Sequence, residues 1–176
     1  MMLIRHAQSV WNHHFSRTRV DPGIPDPSLT ELGRQQAADL IDKLAGLELT
    51  RLIASPYRRC LETATVVAEA LDLPISIDPL VRERCFFSCD IGSDPEILAN
   101  LCPTIDFTGL STGWWGEPPE SEAQVVERCH RFRKEQADLL RRPDIAVITH
   151  WGFIRAFTGE EVENAAIVPI DAVLHR

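Results

Sequence analysis

Two histidines and two arginines stand directly after, or a few residues beyond, apolar runs that the sequence predicts to be strands. Arg5 and His6 follow residues 1–4, Arg59 follows residues 52–54, and His150 follows residues 145–149. In α/β sheets the carboxyl ends of parallel strands meet at one edge, and ligands bind there. We therefore expect the four side chains to converge on a single cleft.

Imidazole and guanidinium groups in one cleft suit the chemistry of a phosphate ester. Arginine neutralises and orients the phosphate dianion through its forked N–H groups, and an imidazole can attack phosphorus as a nucleophile. The side-chain amide of Asn12 offers a further donor for a phosphate oxygen. The sequence contains no glycine-rich loop of the Walker type, so it does not indicate ATP chemistry of that kind.

Predicted strands and helices alternate along the chain, which favours a layered α/β fold with a mainly parallel sheet. The predicted strands lie at 1–5, 52–54, 75–77, 145–149 and 166–170, and the predicted helices at 28–47, 57–71, 121–143 and 151–158. Ser28 and Glu31 form a candidate capping box for the first helix. Residues 79–119 show no sustained periodicity, and we interpret them as an irregular loop or lid. Within it, Trp114 and Trp115 either line a substrate pocket or pack beneath the loop.

The composition bounds the class of protein. The chain has 176 residues, and its 26 acidic side chains against 18 basic ones give a net charge of −8. This acidity counts against nucleic acid and anionic membranes as partners, and the length favours one domain over residues 1–176. The five irregularly spaced cysteines predict reduced thiols rather than a disulfide framework. Without a signal-peptide pattern or a run long enough to span a membrane, we expect a cytoplasmic protein.

Five segments, in order along the chain, match the motifs of a known family. They are residues 5–12 (RHAQSVWN), similar to R-H-G-x-x-x-x-N; 27–33 (PSLTELG), similar to D-x-P-L-T-x-x-G; 55–64 (SPYRRCLETA), similar to S-x-x-x-R-A-x-x-T-A; 80–84 (LVRER); and 147–152 (VITHWG), similar to the family's second-histidine motif. Together they resemble the histidine phosphatase superfamily, in its phosphoglycerate mutase-like phosphatase branch. Residues 89–94 and 164–165 also resemble a less characterised branch. Ala7 and Trp151 depart from the pattern, because the family has glycine at both positions.

The resemblance implies a fold and a set of residue roles. The fold is a three-layer sandwich with helices on both faces of the sheet, and the mechanism needs no metal or cofactor. His6 attacks the phosphoryl group to form a phosphohistidine, which water then hydrolyses. The phosphate-binding residues implied by the motifs are Arg5, Asn12, Arg59 and His150.

The family's acidic proton donor corresponds to Glu83, although Asp90 is a rival for that role. General acid catalysis of this kind typically accelerates a reaction by roughly 10²–10⁴-fold. Arg58 is expected to form a surface salt bridge rather than to bind phosphate. The adjacent pair His13 and His14 has no third ligand nearby in the sequence, so we expect a solvated loop there rather than a metal site.

The implied function is that of a phosphomonoesterase of the histidine acid phosphatase type, acting on a small phosphorylated metabolite. Two alternatives remain open: a mutase that returns the phosphoryl group to its substrate, and a non-catalytic module that binds a phosphorylated ligand. The mutases of the family carry extra segments, for which 176 residues leave little room. The complete set of His6, Arg5, Arg59, Glu83 and His150 argues against the non-catalytic module.

Overall fold

The structure, a computed structural model, describes residues 1–170 and contains a five-stranded sheet. The strands are β1 (Met2–Arg5), β2 (Arg51–Ala54), β3 (Ile75–Ile77), β4 (Ile145–Thr149) and β5 (Ile167–Pro169), in the spatial order β3-β2-β4-β1-β5. The first four are parallel, and β5 runs antiparallel to β1. All five predicted strands are confirmed, as is the mainly parallel sheet. The predicted single domain also includes residues 171–176, which lie outside the described residues.

Seven helices are described between residues 1 and 170. They are α1 (Val10–Thr18), α2 (Glu31–Leu44), α3 (Arg58–Leu71), α4 (Pro95–Leu101), α5 (Glu122–Glu135), α6 (Ala137–Leu140) and α7 (Trp151–Thr158). Alternate residues of a strand point to opposite faces of the sheet. Accordingly, Ile4 of β1 lies in a buried cluster with Leu40 of α2, and Leu3 lies in another with Phe132 of α5. Helices cover both faces, which confirms the three-layer sandwich.

The helix predicted at 28–47 begins later than its sequence pattern suggests. Thr30, not Ser28, is the N-cap, and its hydroxyl accepts a hydrogen bond from the Gly33 N–H at 2.9 Å. Ser28 lies before the helix, and its carbonyl accepts the N–H of Val10 at 2.9 Å. Gly33 is required where it stands, since a Cβ there would lie 2.1 Å from the carbonyl oxygen of Gln8. The start of α2 is thereby packed against the chain that follows β1.

Three other predictions are corrected. Residues 79–119 are not wholly irregular, because they contain α4 and two single turns of 3₁₀-helix, Pro79–Val81 and Ser88–Asp90. The helix predicted at 121–143 is divided at Gln136 into α5 and α6. Helix α1 was not predicted, and it places the exposed pair of His13 and His14 on a helix rather than a loop.

The tryptophan pair packs beneath the loop instead of lining the main cavity. The Trp114 ring lies 4.6 Å from that of Tyr57, and its Nε1 donates to the carbonyl of Ser93 at 3.0 Å. Both indoles close over Gly92, where a Cβ would lie 2.5 Å from Trp114 and 2.8 Å from Trp115. The pair thus fixes the 79–119 segment to the body of the protein.

Candidate active site

The register of β1 and β4 places His6 and His150 side by side. Arg5 pairs with Thr149, so each histidine follows the last paired residue of its strand, and the His6 N–H donates to the Thr149 carbonyl at 2.8 Å. The two imidazole centroids lie 5.1 Å apart. Both side chains are buried, with exposures of 3% for His6 and 0% for His150.

The hydrogen bond of His6 determines which of its ring nitrogens is free. Nδ1 lies 2.7 Å from the carbonyl oxygen of Ala7, and because a carbonyl only accepts, Nδ1 carries the proton. Burial lowers the pKa of His6 well below its ordinary value of 6.5, and the charges of Arg59 and Arg5 lower it further. The neutral ring therefore presents the lone pair of Nε2, which is the form of imidazole that acts as a nucleophile.

His150 lies next to His6 with its own set of partners. Its Nε2 is 2.8 Å from the Ser55 hydroxyl and 3.3 Å from the sulfur of Cys60. Burial lowers the pKa of His150 well below 6.5, and the charges of Arg59 and His6 lower it further. Both histidines are thus held neutral, which avoids two positive imidazoles in one buried space.

Arg59, in the first turn of α3, is buried, and some of its guanidinium N–H groups already donate to protein acceptors. It donates to the Cys89 carbonyl at 2.7 Å and to Oδ1 of Asp90 at 3.2 Å, and it lies over the Tyr57 ring at 4.3 Å. Although burial alone would lower the pKa of Arg59, the neighbouring Cys89 and Asp90 raise it overall. The guanidinium is consequently charged and oriented, with further N–H groups left for an anion.

Arg5 retains an unpartnered N–H group. Its Nη1 donates to the Val162 carbonyl at 2.6 Å, whereas its buried Nε has no hydrogen-bond partner among residues 1–170. A buried donor without an acceptor is costly, and it calls for a partner such as an ordered water or an ion. Burial lowers the pKa of Arg5, while Glu83 and Glu163 counteract that effect. An oxyanion is a suitable partner for this group.

Two asparagines extend the same polar surface. Oδ1 of Asn12 accepts the Ser9 N–H at 3.1 Å in the capping box of α1, so the Asn12 amide NH₂ is the part available to a ligand. Nδ2 of Asn164 donates to the His6 carbonyl at 3.0 Å and lies 3.4 Å from Oδ1 of Asn12. The sequence analysis noted Asn164 without giving it a role, because its partners lie at the opposite end of the chain.

Glu83 is the carboxylate in the best position to carry a proton. Its Oε1 accepts the Arg84 N–H at 2.8 Å and its Oε2 accepts the Gly152 N–H at 3.3 Å. Gly152 is needed for this approach, since a Cβ there would lie 2.2 Å from Oε1. Burial raises the pKa of Glu83 above its ordinary 4.5, and the nearby charge of Asp90 raises it further, while Arg59 opposes both. These influences favour the neutral acid.

Asp90 is instead committed as a hydrogen-bond acceptor. Its Oδ1 receives Arg59, and its Oδ2 receives the N–H groups of Phe86 at 3.1 Å and Phe87 at 2.9 Å. Its side chain is 1% exposed. The thiol of Cys89 also lies 3.4 Å from Oδ1, so both oxygens of the carboxyl group are occupied by protein donors. Asp90 therefore orients Arg59 and the loop.

A buried ionic network holds the segment that carries Glu83, and the sequence analysis missed it. Glu120 accepts hydrogen bonds from Arg82 at 2.9 Å and from two nitrogens of Arg128 at 3.1 and 2.9 Å. Arg128 also donates to the carbonyls of Leu80 and Arg82 at 2.9 and 2.8 Å. Except for Glu120 and Arg128, which are 8 residues apart, these partners lie 38 to 48 residues apart in sequence, so no local motif signals them. Arg58, by contrast, forms the expected salt bridge, 2.6 Å from Glu62.

A cavity of about 770 Å³ joins these groups. Its polar wall contains Arg5, His6, Asn12, Arg59, Glu83, Asp90 and Asn164, and its apolar wall contains Trp11, Phe15, Phe86, Phe87 and Trp151. Trp151, which stands where the family has glycine, thus forms part of the wall, and His150 lies behind His6.

No helix between residues 1 and 170 has the length and apolar character to cross a membrane. The same part of the chain contains no group of three metal-ligating side chains.

Sequence relatives match this chain over part of its length. The probable phosphoglycerate mutase GpmB of Erwinia tasmaniensis is 36% identical over 81 residues, which cover 46% of this chain and 36% of that protein. The GpmB of Yersinia enterocolitica is 32% identical over 83 residues, covering 47% of this chain and 37% of that protein. The match therefore spans about a third of the length of these relatives.

Solved structures match the fold over most of the described chain. A mycobacterial glucosyl-3-phosphoglycerate phosphatase has a TM-score of 0.65 at 22% identity, covering 95% of this chain and 87% of that one. A phosphoserine phosphatase of Entamoeba histolytica, in complex with 3-phosphoglyceric acid, has a TM-score of 0.62 at 21% identity, covering 94% and 87%. These likenesses confirm a phosphoglycerate mutase-like fold.

A family model described as histidine phosphatase superfamily (branch 1) matches residues 1–165, and the chain therefore belongs to this superfamily.

Proposed function

We propose that this chain is a phosphoric monoester hydrolase that transfers the phosphoryl group of a small metabolite to His6 and then to water. The observation that carries the proposal is the state of His6. Its Nδ1 proton is held by the Ala7 carbonyl, so a neutral Nε2 lone pair is free beside two arginines and a carboxylic acid. Residues 1–170 would then form one catalytic domain.

In the first step, Nε2 of His6 attacks phosphorus. The P–N bond forms as the bond between phosphorus and the ester oxygen breaks, and the departing alkoxide takes the proton of Glu83. Arg5, Arg59 and the Asn12 amide bind the three non-bridging oxygens, whose charge a guanidinium stabilises most strongly in a water-poor site. His150 is buried behind His6 and outside the cavity wall, so its expected contact with the phosphoryl group stays a prediction, while its neutral ring packs edge-on against that of His6.

In the second step, water hydrolyses the phosphohistidine. Glu83, now a carboxylate, removes a proton from the water as its oxygen bonds to phosphorus and the P–N bond breaks. Inorganic phosphate leaves, His6 returns to its neutral form, and Glu83 is again protonated. One carboxyl group thus acts first as acid and then as base, which requires a pKa raised toward the working pH. The buried position of Glu83 meets that requirement.

The decisive experiment follows the phosphoryl group. We expect an ester labelled with ³²P to transfer label to the wild-type protein in a form that acid releases and alkali preserves, as a phosphohistidine does. His6→Ala should lose the label and at least about 10⁴-fold of kcat, since removing a nucleophile removes the whole two-step route. His13→Ala is the matched control, because His13 is an exposed histidine on α1 and is not part of the cavity wall.

Other outcomes separate the competing functions. Turnover unaffected by EDTA supports the histidine mechanism, whereas complete dependence on an added metal contradicts it. The names of the GpmB relatives support a mutase as the second candidate. Transfer of label between two positions of one compound, faster than release of phosphate, would establish that candidate. Tight binding of an ester with neither labelling nor turnover would indicate a non-catalytic binding module.

A further inference from the structure

The outer part of the main cavity is walled by aromatic side chains that touch one another. Trp11 and Phe15 stack at 4.4 Å between ring centroids, and Phe87 lies 5.1 Å from Trp11 and 5.2 Å from Phe15. Phe86 lies 5.0 Å from Phe87 and is 51% exposed. An apolar ring left half in water in front of a catalytic group is a surface that a ligand can cover favourably.

Helix α1 relates this aromatic wall to the phosphate-binding groups. The residues of α1 and its C-cap that line the cavity include Asn12, Phe15, Ser16 and Arg19, which share one side of the helix at spacings of three and four. At about 1.5 Å per residue, the seven steps from Asn12 to Arg19 cover roughly 10 Å. Phe15 is therefore about one helical turn beyond the amide that faces the phosphate. The aromatic wall therefore begins one turn of α1 away from the phosphate-binding groups.

Several polar groups at this end are already bonded within the protein or packed on the rings, and the Arg19 guanidinium lies 5.9 Å over the Phe15 ring. Nε1 of Trp11 is already bonded to Asp21 at 2.9 Å, so its indole offers only an apolar face. Arg84 lies over the Phe86 ring at 5.2 Å and donates to the Glu120 carbonyl at 2.8 Å. Hydroxyl groups placed against these rings would lose water without gaining partners, which costs free energy.

We propose that the alcohol of the substrate is carried by a flat aromatic ring, so that the substrate class is an aryl or arylmethyl phosphate monoester. The phosphate lies between His6 and the arginines Arg5 and Arg59, and the ring lies among Phe15, Phe86 and Phe87. This assignment rests on the proposed function, because it takes the phosphate end of the cavity as given. Contact of the substrate ring with these rings adds affinity beyond that of the apolar area it buries.

The test compares two esters of primary alcohols, benzyl phosphate and glycerol 1-phosphate, so that an alkoxide must leave in both. We expect kcat/KM to favour benzyl phosphate at least about tenfold in the wild type. Phe86→Ala and Phe15→Leu should each reduce that ratio about three- to tenfold, the second by removing the ring while keeping an apolar side chain of similar volume. Ile97→Ala, an exposed apolar residue of α4 outside the cavity wall, should leave the ratio unchanged.

The outcomes distinguish this inference from the proposed function. If neither ester nor 4-nitrophenyl phosphate is hydrolysed, the proposed function fails. If both esters are hydrolysed but glycerol 1-phosphate is preferred, the proposed hydrolase stands and the aromatic assignment is overturned. The same conclusion follows if Phe86→Ala and Phe15→Leu leave the kcat/KM ratio of the two esters unchanged.

Binding of non-hydrolysable analogues gives a readout that needs no turnover. Calorimetry should show benzylphosphonate binding more tightly than methylphosphonate, with a more negative heat-capacity change because more apolar surface is buried. Phe86→Ala should weaken the binding of benzylphosphonate several-fold more than the binding of methylphosphonate. Equal affinities for the two phosphonates in the wild type would contradict the proposal.

Discussion

The two ends of the cavity are built in different ways. At the inner end, Arg59 and Glu83 are fixed by directional hydrogen bonds to backbone groups, and His6 by the Ala7 carbonyl at 2.7 Å. At the outer end, Phe15, Phe86 and Phe87 meet through ring contacts at about 5 Å, with no hydrogen bond to set their angle. One end has a geometry fixed by the sheet, and the other can adjust to what it holds.

This difference separates the reaction from the choice of substrate. Distances at a reacting phosphorus must be held closely, since a misplacement of about 1 Å can reduce the rate about 10²-fold. Apolar contacts with the rest of the ester are non-directional and scale with area. Substitutions at the inner end should therefore change kcat for every ester, and substitutions at the outer end should change the ratio between esters.

The largest effect that sharpens this comparison is expected for Glu83→Gln. The amide keeps an acceptor for only one of the two backbone N–H groups and cannot donate a proton to an alkoxide, so kcat for benzyl phosphate should fall roughly 10²–10⁴-fold. For 4-nitrophenyl phosphate, whose leaving group needs no proton, the first step should persist and the second should be slow. Rapid-mixing absorbance measurements should then show a burst of one nitrophenolate per active site before a slow phase.

The pH profile follows from the two shifted groups. The first step needs neutral His6, whose pKa lies below 6.5, so the rate with alkyl esters should rise with pH on the acid side. It also needs protonated Glu83, whose pKa is raised above 4.5, so the rate should fall as Glu83 ionises at higher pH. Glu83→Gln should remove the alkaline limb alone. An unchanged alkaline limb, or no burst, would assign the proton to another group.

Asp90→Asn is the matched isosteric change at the rival carboxyl group, and its expected effect is smaller. An amide in place of the carboxylate turns one of the two accepting oxygens into a donor that faces either Arg59 or the N–H groups of Phe86 and Phe87. Arg59 would then be held less well, which should raise KM for all esters about tenfold, as loss of a hydrogen bond to a charged group does. The alkaline limb should remain, measured by steady-state rates across pH. Its loss would identify Asp90 as the acid.

The parts of the fold that the sequence predicted are those with a strong local signal. Strand β4 is buried at all five positions and reads as a continuous apolar run. Helix α1 buries only Trp11, so its sequence carries no apolar stripe, although Ser9 and Asn12 form a capping box. Helix α4 has seven residues, too few for periodicity, and Pro95 in its first turn was the available signal. Short helices held by tertiary contacts escape pattern analysis for this reason.

The residues of the site differ in the same way, because only some of them are placed by features that the sequence shows locally. His6, Arg59 and His150 follow strands, so topology alone brings them together. The aromatic wall depends on the path of residues 84–90, which is set by contacts such as that of Arg82 with Glu120, 38 residues away. No spacing in the sequence encodes such a contact. The reaction class was therefore predictable from the sequence, whereas the wall facing the alcohol required the structure.

The smallest expected effect concerns Asp21, which joins the two sides of the aromatic wall. Its carboxylate accepts Nε1 of Trp11 at 2.9 Å, the Gly23 N–H at 3.0 Å, and both the N–H and the hydroxyl of Ser88, the N–H at 2.8 Å. Burial alone would raise the pKa of Asp21, but these hydrogen bonds together, those of Ser88 foremost, lower it to about 2. The carboxylate thus keeps its bonds at every pH above about 4 and loses them only as the pH falls towards 2.

Asp21→Asn replaces one accepting oxygen by a donor, so α1 and the Ser88 turn should be held together less firmly. We expect KM for benzyl phosphate to rise about two- to fivefold, the equivalent of one weakened hydrogen bond in an exposed position. The acid-labile phosphoenzyme should form as before with 4-nitrophenyl phosphate, because Asp21 contacts none of the phosphate-binding groups. Asp39→Asn on α2, where an exposed aspartate accepts one hydrogen bond from Gln35, should leave both measurements unchanged. A loss of phosphoenzyme in Asp21→Asn would show that the two ends of the cavity are coupled, contrary to the division between reaction and substrate choice.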